Sequence, residues 1–246
     1  MRSTPLRRTM PDDLAQRFGA LPNGPAVVAA FDVDGTLTEG GSVYAWLAAV
    51  GGRRRTILAT LRNLVPVAVA AITGGTRADA VKQAVFQGVI RGLPQADVDE
   101  ASRHFAAHHY RRELRPEAKA QVEWHRTHGH RIVLVSASPE IYVEKIATHL
   151  GADHALATRL GVAGDGTMTG TYEGKNCRGE EKIARLRAFM GTEPATLVAY
   201  GNSRGDAKML AAADLGVDCG KLGPWSALKA YPTLAQVRSV LRSTSR

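Results

Sequence analysis

Two aspartates stand one residue apart where an apolar run stops, and such a pair can act on one ligand. Residues 26–30 lead into the string Phe31-Asp32-Val33-Asp34-Gly35-Thr36-Leu37-Thr38. Strand side chains alternate between faces, but at a strand's end the backbone leaves the pleat and both carboxylates can turn toward the same pocket. Because nearby carboxylates repel each other, a close pair indicates a bound cation or a shared proton. A solvated Asp-Gly turn is the alternative for the pair taken alone.

The elements that would position this pair alternate along the chain. Strand-like runs cover residues 131–135, 154–157, 196–200 and 215–217, with a hairpin over 162–172. Helical segments cover residues 139–150, 179–190 and 204–213. Strands that alternate with helices indicate a parallel sheet, whose ligands bind beyond the carboxyl ends of the strands. The sequence therefore predicts an α/β fold, a Rossmann-like parallel sheet with helices on both faces.

The remaining segments predict an insert and two polar ends. From residue 42 to about residue 129 only helical periodicity is found, which indicates a helical insert after the first strand. The first residues are polar and punctuated by proline, so we expect a flexible arm with at most one short helix. The chain then divides into a basic N-terminal arm (1–24), a core (25–40 and 116–235), a helical cap (41–115) and a basic C-terminal tail (236–246).

Charge and cysteine content narrow the class of protein. The formal charge of +9 favours anionic partners such as phosphorylated substrates, acidic lipid headgroups or nucleic acid, although much of the excess lies near the two ends. No zinc-finger spacing or aromatic-interleaved basic segment supports a nucleic-acid module, so no specific nucleic acid is expected. The two cysteines, Cys177 and Cys219, lack CxxC spacing and predict reduced thiols in a cytoplasmic protein.

A second motif lies where a predicted strand runs into a helix. The apolar residues 133–135 lead into Ser136-Ala137-Ser138-Pro139. A hydroxyl and the N–H groups at a helix start form a ready anion site, while Ser-Pro is also an ordinary helix start. We expect both functions, with Ser138 capping the helix and Ser136 facing an anion.

A third motif, Asn176-Cys177-Arg178-Gly179-Glu180-Glu181-Lys182, opens another predicted helix. The helix dipole disfavours a lysine near this end, which suggests that Lys182 serves some other charge. Lys175 is the rival for that role. Arg178 is either a substrate-side cation or a solvent-facing one.

A fourth motif, Val198-Ala199-Tyr200-Gly201-Asn202-Ser203-Arg204-Gly205-Asp206, follows the next strand. Together and in this order, the four motifs resemble those of the haloacid dehalogenase (HAD) superfamily, subfamily IB, with its phosphoserine-phosphatase-like and phosphatidylglycerophosphatase C-like groups. The resemblance covers roughly residues 26–220 and implies the HAD fold with a type 1 cap after the first strand. The family's GDxxxD pattern is altered here, because Asn202 stands at the first acid's position and Asp206 alone keeps its charge.

The resemblance implies a phosphatase that works through an aspartyl-phosphate with Mg2+ as its cofactor. It implies that Asp32 is the nucleophile and Asp34 the general acid and base. Phosphate would be held by Gly35, Ser136, Ala137 and Lys182. Mg2+ would lie between Asp32, the backbone carbonyl of Asp34 and Asp206, with Asn202 as a weaker ligand because an amide oxygen brings less charge.

The substrate is less defined than the reaction. Phosphoserine phosphatases carry a glutamate after the first motif and an arginine in the cap, and these positions fall here at Gly41 and near Phe86. Phosphoserine is therefore an alternative substrate, with Glu39 and Lys82 as the residues to compensate. The cap run 53–72, with three successive arginines and an interrupted apolar stretch, is too short to span a bilayer. It resembles that of the phosphatidylglycerophosphatase C group.

The cap run leaves two interpretations open: a buried cap helix, or a peripheral contact with the anionic inner face of the membrane. The expected substrate is then a small phosphorylated metabolite or a lipid headgroup phosphate. A second class of function, a non-catalytic module that binds phosphate or nucleic acid, is motivated by Asn202 and the net charge. Oligomeric state, and hydrolase against phosphotransferase, are not determined by these residues.

Overall fold

The computed structural model describes residues 11–63, 75–220 and 231–244. In chain order the elements are α1 (Pro11–Gly19), β1 (Val27–Phe31), α2 (Val43–Gly51), α3 (Arg53–Arg62), α4 (Gly75–Ile90), α5 (Gln95–Glu113), α6 (Pro116–Thr127), β2 (Arg131–Pro139), α7 (Glu140–Leu150), β3 (His154–Thr158), β4 (Leu160–Val162), β5 (Met168–Tyr172), α8 (Glu180–Met190), β6 (Thr196–Gly201), α9 (Ala207–Ala212), β7 (Leu215–Asp218) and α10 (Leu234–Thr244).

A five-stranded parallel sheet in the order β3-β2-β1-β6-β7 forms the centre of the fold. Strand β1 is buried along its whole length because its side chains are all apolar and both of its faces are covered. Alternate residues of β1 join different apolar clusters, with Val27 and Ala29 on one face and Val28 and Ala30 on the other. The predicted α/β fold with helices on both faces is confirmed.

The predicted hairpin is the antiparallel pair β4–β5, separate from the main sheet. Between β1 and β2 the elements that the structure describes are helices, as the periodicity indicates. The two chain segments that lead into and out of helices α2–α5 lie side by side: Glu39 N donates to Glu113 O at 2.8 Å, and Arg115 N donates to Leu37 O at 2.9 Å. The division into core and cap stays a prediction. Much of the apolar cap run, residues 64–72, lies outside the described residues.

The N-terminal region contains a short helix, as the sequence allowed, but this helix and the one at the C-terminal end are packed into the folded body. Helix α1 buries Leu14 and Phe18, which stand one turn apart, and α10 buries Val237 and Val240. These helices pack against each other. Amphipathic spacing therefore places residues 11–19 and 234–244 in the folded body, because their apolar faces leave water by packing together. Residues 1–10 and 245–246 lie outside the described residues.

A buried polar chain lies behind the end of β1. The chain starts at the Pro22 carbonyl oxygen, which accepts from His130 Nε2 at 3.1 Å. The Nδ1 atoms of His130 and His125 lie 2.8 Å apart, and His125 Nε2 lies 2.8 Å from the Tyr200 hydroxyl. That hydroxyl also accepts from Gln121 Nε2 at 2.9 Å. Because the Pro22 carbonyl can only accept, the proton placement follows: His125 donates to His130, and Tyr200 donates to His125. This placement holds for neutral imidazoles, the form that burial of both rings favours.

This chain supports the strand that ends at Asp32. The rings of Tyr200 and Phe31 stack with centroids 4.2 Å apart, and Asp32 N donates to Tyr200 O at 3.0 Å. Burial and the neighbouring imidazoles lower the pKa of His125 well below its ordinary value, and burial lowers that of His130.

We expect the His125 chain to make stability depend on pH. A histidine whose pKa is lower in the folded protein contributes stability that is fully present above the ordinary pKa and is lost as the pH falls below it, since the unfolded chain then binds the proton. At one pH unit below the ordinary value the loss from His125 is about 1 kcal/mol. Urea unfolding at pH 7.5 and pH 5.5 measures it.

The control for this prediction is the exposed His104, which pairs with Glu100 on α5. The His125→Gln variant is expected to lose less stability between the two pH values than the wild type, whereas His104→Gln should follow the wild type. Equal losses in the wild type and His125→Gln would contradict the assignment of the pH dependence to His125.

Candidate active site

The carboxyl ends of the central strands open onto one small cavity of about 170 Å³. Its lining comes from four separate stretches of chain: Asp32, Asp34, Ser136, Ala137, Arg178, Lys182, Asn202, Ser203, Gly205 and Asp206. Parallel strands place their carboxyl ends at the same edge, so residues far apart in the sequence meet there. The structure thus brings together the acids, the serine and the lysine that the sequence singled out.

The Lys182 ammonium is the centre of this site. Its Nζ donates to Asp32 Oδ1, Asp206 Oδ1 and Val135 O, each at 2.6 Å. Lys182 is 2% exposed and Asp206 1%, so these charges meet with almost no water between them. The sequence left Lys182 and Lys175 as rival partners for a buried charge. Lys182 is the one that contacts the carboxylates, whereas Lys175 is exposed.

Burial and the neighbouring charges shift the pKa values of Asp32, Asp206 and Lys182. Burial, together with repulsion from Asp206 and Asp34, outweighs the attraction of Lys182 and raises the pKa of Asp32 to about 7. Burial also acts to raise the pKa of Asp206, but Lys182 and hydrogen bonds from Ser203 outweigh it and lower that pKa below its ordinary value. Although burial acts to lower the pKa of Lys182, the two carboxylates raise it above its ordinary value. The site thus holds an excess of negative charge that a cation can relieve.

Asp34 is held by hydrogen bonds on both carboxylate oxygens. Ser42 N donates to Oδ1 at 2.7 Å, and the Ser138 hydroxyl donates to Oδ2. The expectation that Ser138 caps the following helix is therefore wrong: strand β2 continues to Pro139, α7 begins at Glu140, and no side-chain cap is formed. Ser138 N instead donates to the Ser136 hydroxyl at 3.1 Å, which orients Ser136 at the cavity.

The donors suit a hard divalent cation. Carboxylate and amide oxygens of Asp32, Asp206 and Asn202 surround the cavity, and these are the ligands that Mg2+ prefers. Asn202 packs tightly on the turn after Asp34, since a Cβ at Gly35 would lie 2.0 Å from its Nδ2, and Gly35 has a φ of +79°. Among the described residues, no group of three or more Asp, Glu, His or Cys side chains is arranged to hold a metal ion. At this site the Lys182 ammonium lies between Asp32 and Asp206.

Two residues at the site carry no motif in the sequence. Lys82 of α4 donates to Ala137 O at 2.7 Å. Arg115, which follows α5, donates through Nη1 to Gly35 O at 2.8 Å and to Cys219 O at 2.7 Å. No local pattern marks either residue, because the contacts span 55 to 104 positions.

Comparisons with known proteins agree on one family. A model of haloacid dehalogenase-like hydrolases matches residues 29–211. The chain is 37% identical over 196 residues to protein CicA of Caulobacter vibrioides, a match that covers 80% of this chain and 86% of CicA. It is 35% identical over 104 residues to a phosphoserine phosphatase of Methanocaldococcus jannaschii, covering 40% of this chain and 47% of that protein.

Solved structures agree with these matches. A phosphoserine phosphatase structure, described as a phospho-aspartyl intermediate analogue, is similar with a TM-score of 0.58 and 25% identity over 89% of this chain and 99% of that one. A protein of unknown function from Bordetella pertussis Tohama I has the same fold, with a TM-score of 0.69 and 23% identity over 90% of this chain and 96% of that one.

We expect Lys182→Met to destabilise the protein by about 3 kcal/mol at pH 7.5, because it leaves two buried carboxylates facing each other without a counter-charge. The loss should shrink as the pH is lowered, since protonation of one carboxylate removes the repulsion. Urea unfolding at several pH values measures this. Lys208→Met is the matched control, because Lys208 forms an exposed ion pair with Glu180 and should change stability by less than about 0.5 kcal/mol. Equal effects of the two variants would contradict the central position of Lys182.

Proposed function

The chain is a phosphatase of the haloacid dehalogenase-like hydrolase family, and we propose that it hydrolyses a phosphomonoester through an aspartyl-phosphate on Asp32 with Mg2+ as cofactor. The observation that carries this proposal is the convergence of Asp32, Asp34, Lys182 and Asp206 on one cavity. Its volume of about 170 Å³ suits a phosphoryl group, so the rest of the substrate must extend outward.

In the first half-reaction an oxygen of Asp32 attacks phosphorus, the bond from phosphorus to the substrate oxygen breaks, and Asp34 donates its proton to that oxygen. In the second, Asp34 takes a proton from water, the water oxygen attacks phosphorus, and the bond to Asp32 breaks. Asp34 thus ends as it began, as an acid. The Ser138 and Ser42 contacts hold it in place through both steps.

The other residues balance charge during transfer. Lys182, Ser136 and the N–H groups near Gly35 and Ala137 are the proposed partners of the phosphoryl oxygens. Asp32, Asp206, Asn202 and the carbonyl of Asp34 are the proposed ligands of Mg2+. When bound, the cation screens the repulsion between phosphate and the carboxylates.

The residues of the cavity favour a catalytic protein over a module that only binds phosphate or nucleic acid. The nucleophile, the acid and the lysine all line the same cavity despite the change to Asn202. A protein that only bound phosphate would gain nothing from two carboxylates beside the anion, because they repel it.

The substrate class is a small phosphorylated metabolite or a lipid headgroup phosphate, with phosphoserine as the alternative. Support for phosphoserine is limited to similarity with relatives of that name, including the Methanocaldococcus jannaschii protein. Phe86, near which the sequence puts the position of the cap arginine, is 0% exposed and packs against Trp46 and Tyr172. It offers no charge to an amino acid.

A membrane surface is the proposed location of a lipid substrate. One face of α3 exposes Ile57, Leu58 and Leu61, and the exposed Arg54 and Arg62 flank it. The opposite face of α3 is buried through Thr56 and Ala59. An exposed apolar strip flanked by arginines matches an anionic bilayer, which accepts both apolar side chains and cations. Among the described helices, none has the length and hydrophobicity needed to cross a bilayer.

The membrane contact predicts binding to anionic vesicles. The wild type should sediment with vesicles of phosphatidylcholine and phosphatidylglycerol, and the double variant Leu58→Ser/Leu61→Ser should bind roughly tenfold more weakly because it loses apolar burial. Val162→Ser is the control, since Val162 is also exposed but lies on the hairpin. If the double variant binds as well as the wild type, α3 is not the docking face.

The reaction itself predicts that Asp32→Asn lowers hydrolysis of p-nitrophenyl phosphate by at least about 1,000-fold, because an amide cannot act as the nucleophile. EDTA should abolish wild-type turnover and Mg2+ should restore it. The exposed Asp97→Asn variant is the control and should keep wild-type activity. Hydrolysis that persists in Asp32→Asn would rule out the proposed intermediate.

A further inference from the structure

A second anion-binding position lies at the edge of the phosphate cavity. We propose that Lys82 of α4 and Arg178, in the loop before α8, together bind a second anionic group of the substrate, a carboxylate or a phosphodiester. The inference rests on the proposed function, because this group belongs to the leaving part of the same phosphomonoester.

The position of Lys82 points to a ligand beyond its protein contacts. Its Nζ donates to the carbonyl oxygen of Ala137, a residue that lines the cavity, at 2.7 Å. One turn further along α4, the Phe86 ring lies under the ammonium, with 5.6 Å from Nζ to the ring centroid. A neutral carbonyl and a ring face hold the ammonium in place, but an ammonium has three N–H donors and full charge. Donor capacity and charge therefore remain for an anion.

Arg178 faces the same space from the core. It lines the cavity, and its guanidinium lies close to Gly205, where an added Cβ would be 3.2 Å from Nε. In the described part of the chain, no carboxylate oxygen lies within the 4.0 Å ion-pair limit of Arg178 or Lys82. A planar guanidinium with free donors is suited to bind a carboxylate or phosphate in two-pronged fashion.

The positive charges of Lys82 and Arg178 repel each other. Burial, helped by repulsion from Arg178 and Lys182, lowers the pKa of Lys82 to about 8, although Asp34 and Asp79 oppose the change. Two positive groups that repel each other are stabilised when an anion comes between them.

Asp79 is already engaged by another partner, because its Oδ1 accepts from Asn176 Nδ2 at 2.6 Å. That bond ties α4 to the loop that carries Arg178. It therefore keeps the helix that carries Lys82 close to the loop that carries Arg178, and Asp79 is held by that bond rather than by either cation.

The test compares substrates that differ by one anionic group. 3-Phosphoglycerate and glycerol 3-phosphate form a small-molecule pair; phosphatidylglycerophosphate and phosphatidic acid, in phosphatidylcholine vesicles, form a lipid pair. We expect the wild type to prefer the member with the second anion by at least about tenfold in kcat/KM in one pair, and that pair identifies the source of the anion.

The variants separate this role from a structural one. Lys82→Met and Arg178→Gln should each lower kcat/KM for the preferred substrate at least about ten times more than for its partner, mainly through KM. Lys82→Arg should restore most of the preference. Lys175→Gln, which removes an exposed charge from the same loop, should leave it unchanged.

Failure of this inference and failure of the proposed function are distinguishable. Equal kcat/KM within both pairs, or losses in Lys82→Met that are the same for both members, would overturn the second anion site while leaving the phosphatase in place. If the wild type hydrolyses no monoester with Mg2+, the proposed function fails. Calorimetric binding of the same pairs to the wild type and to Lys82→Met then decides the inference. Tighter binding of the two-anion member by the wild type, weakened in Lys82→Met, supports it. Equal affinity of the wild type for both members of each pair overturns it.

Discussion

The contact of one buried ammonium with two buried carboxylates is the constraint on which the site depends. Lys182 Nζ lies 2.6 Å from both Asp32 and Asp206 and also contacts the Val135 carbonyl. One cation thereby joins the ends of β1 and β2 and the loop after β6. Charges removed from water are tolerated only with such partners, because the cost of desolvation exceeds what an unpaired charge recovers. Despite this pairing, burial leaves Asp32 with a raised pKa, which a divalent cation would reverse.

The connection from the helical insert back to the core also shapes the site. Arg115 leaves α5 and contacts the carbonyl oxygens of Gly35 and Cys219, so it links the turn after Asp34 to the residue after β7. Its own backbone N–H bonds to Leu37. Any displacement of the insert relative to the sheet would act directly on this turn, because the two connecting segments are hydrogen-bonded to each other.

The sheet and the insert supply different parts of the chemistry. The strand ends place the acids and the lysine around the phosphoryl position, where parallel geometry brings distant residues together. The insert contributes Lys82 through a single contact with Ala137, and Asp79 fixes α4 to the loop before α8. The insert also reaches the catalytic residues, because Ser42 N donates to Asp34 Oδ1, so a change in the insert can affect both the substrate position and the general acid.

The sequence by itself determined the family and most of the acids of the site. Asp32, Asp34 and Ser136 were found because a hydrophobic strand followed by polar residues is a local pattern. Asp206 was assigned from the resemblance to the family's fourth motif, and the family match confirms that resemblance. Tertiary structure decided the rest. Lys182 prevailed over Lys175 through a contact across 150 positions, Ser138 turned to Asp34 across 104, and the apolar faces of α1 and α10 found each other from opposite chain ends. Local patterns cannot specify such choices, because each depends on which distant group the fold brings within reach.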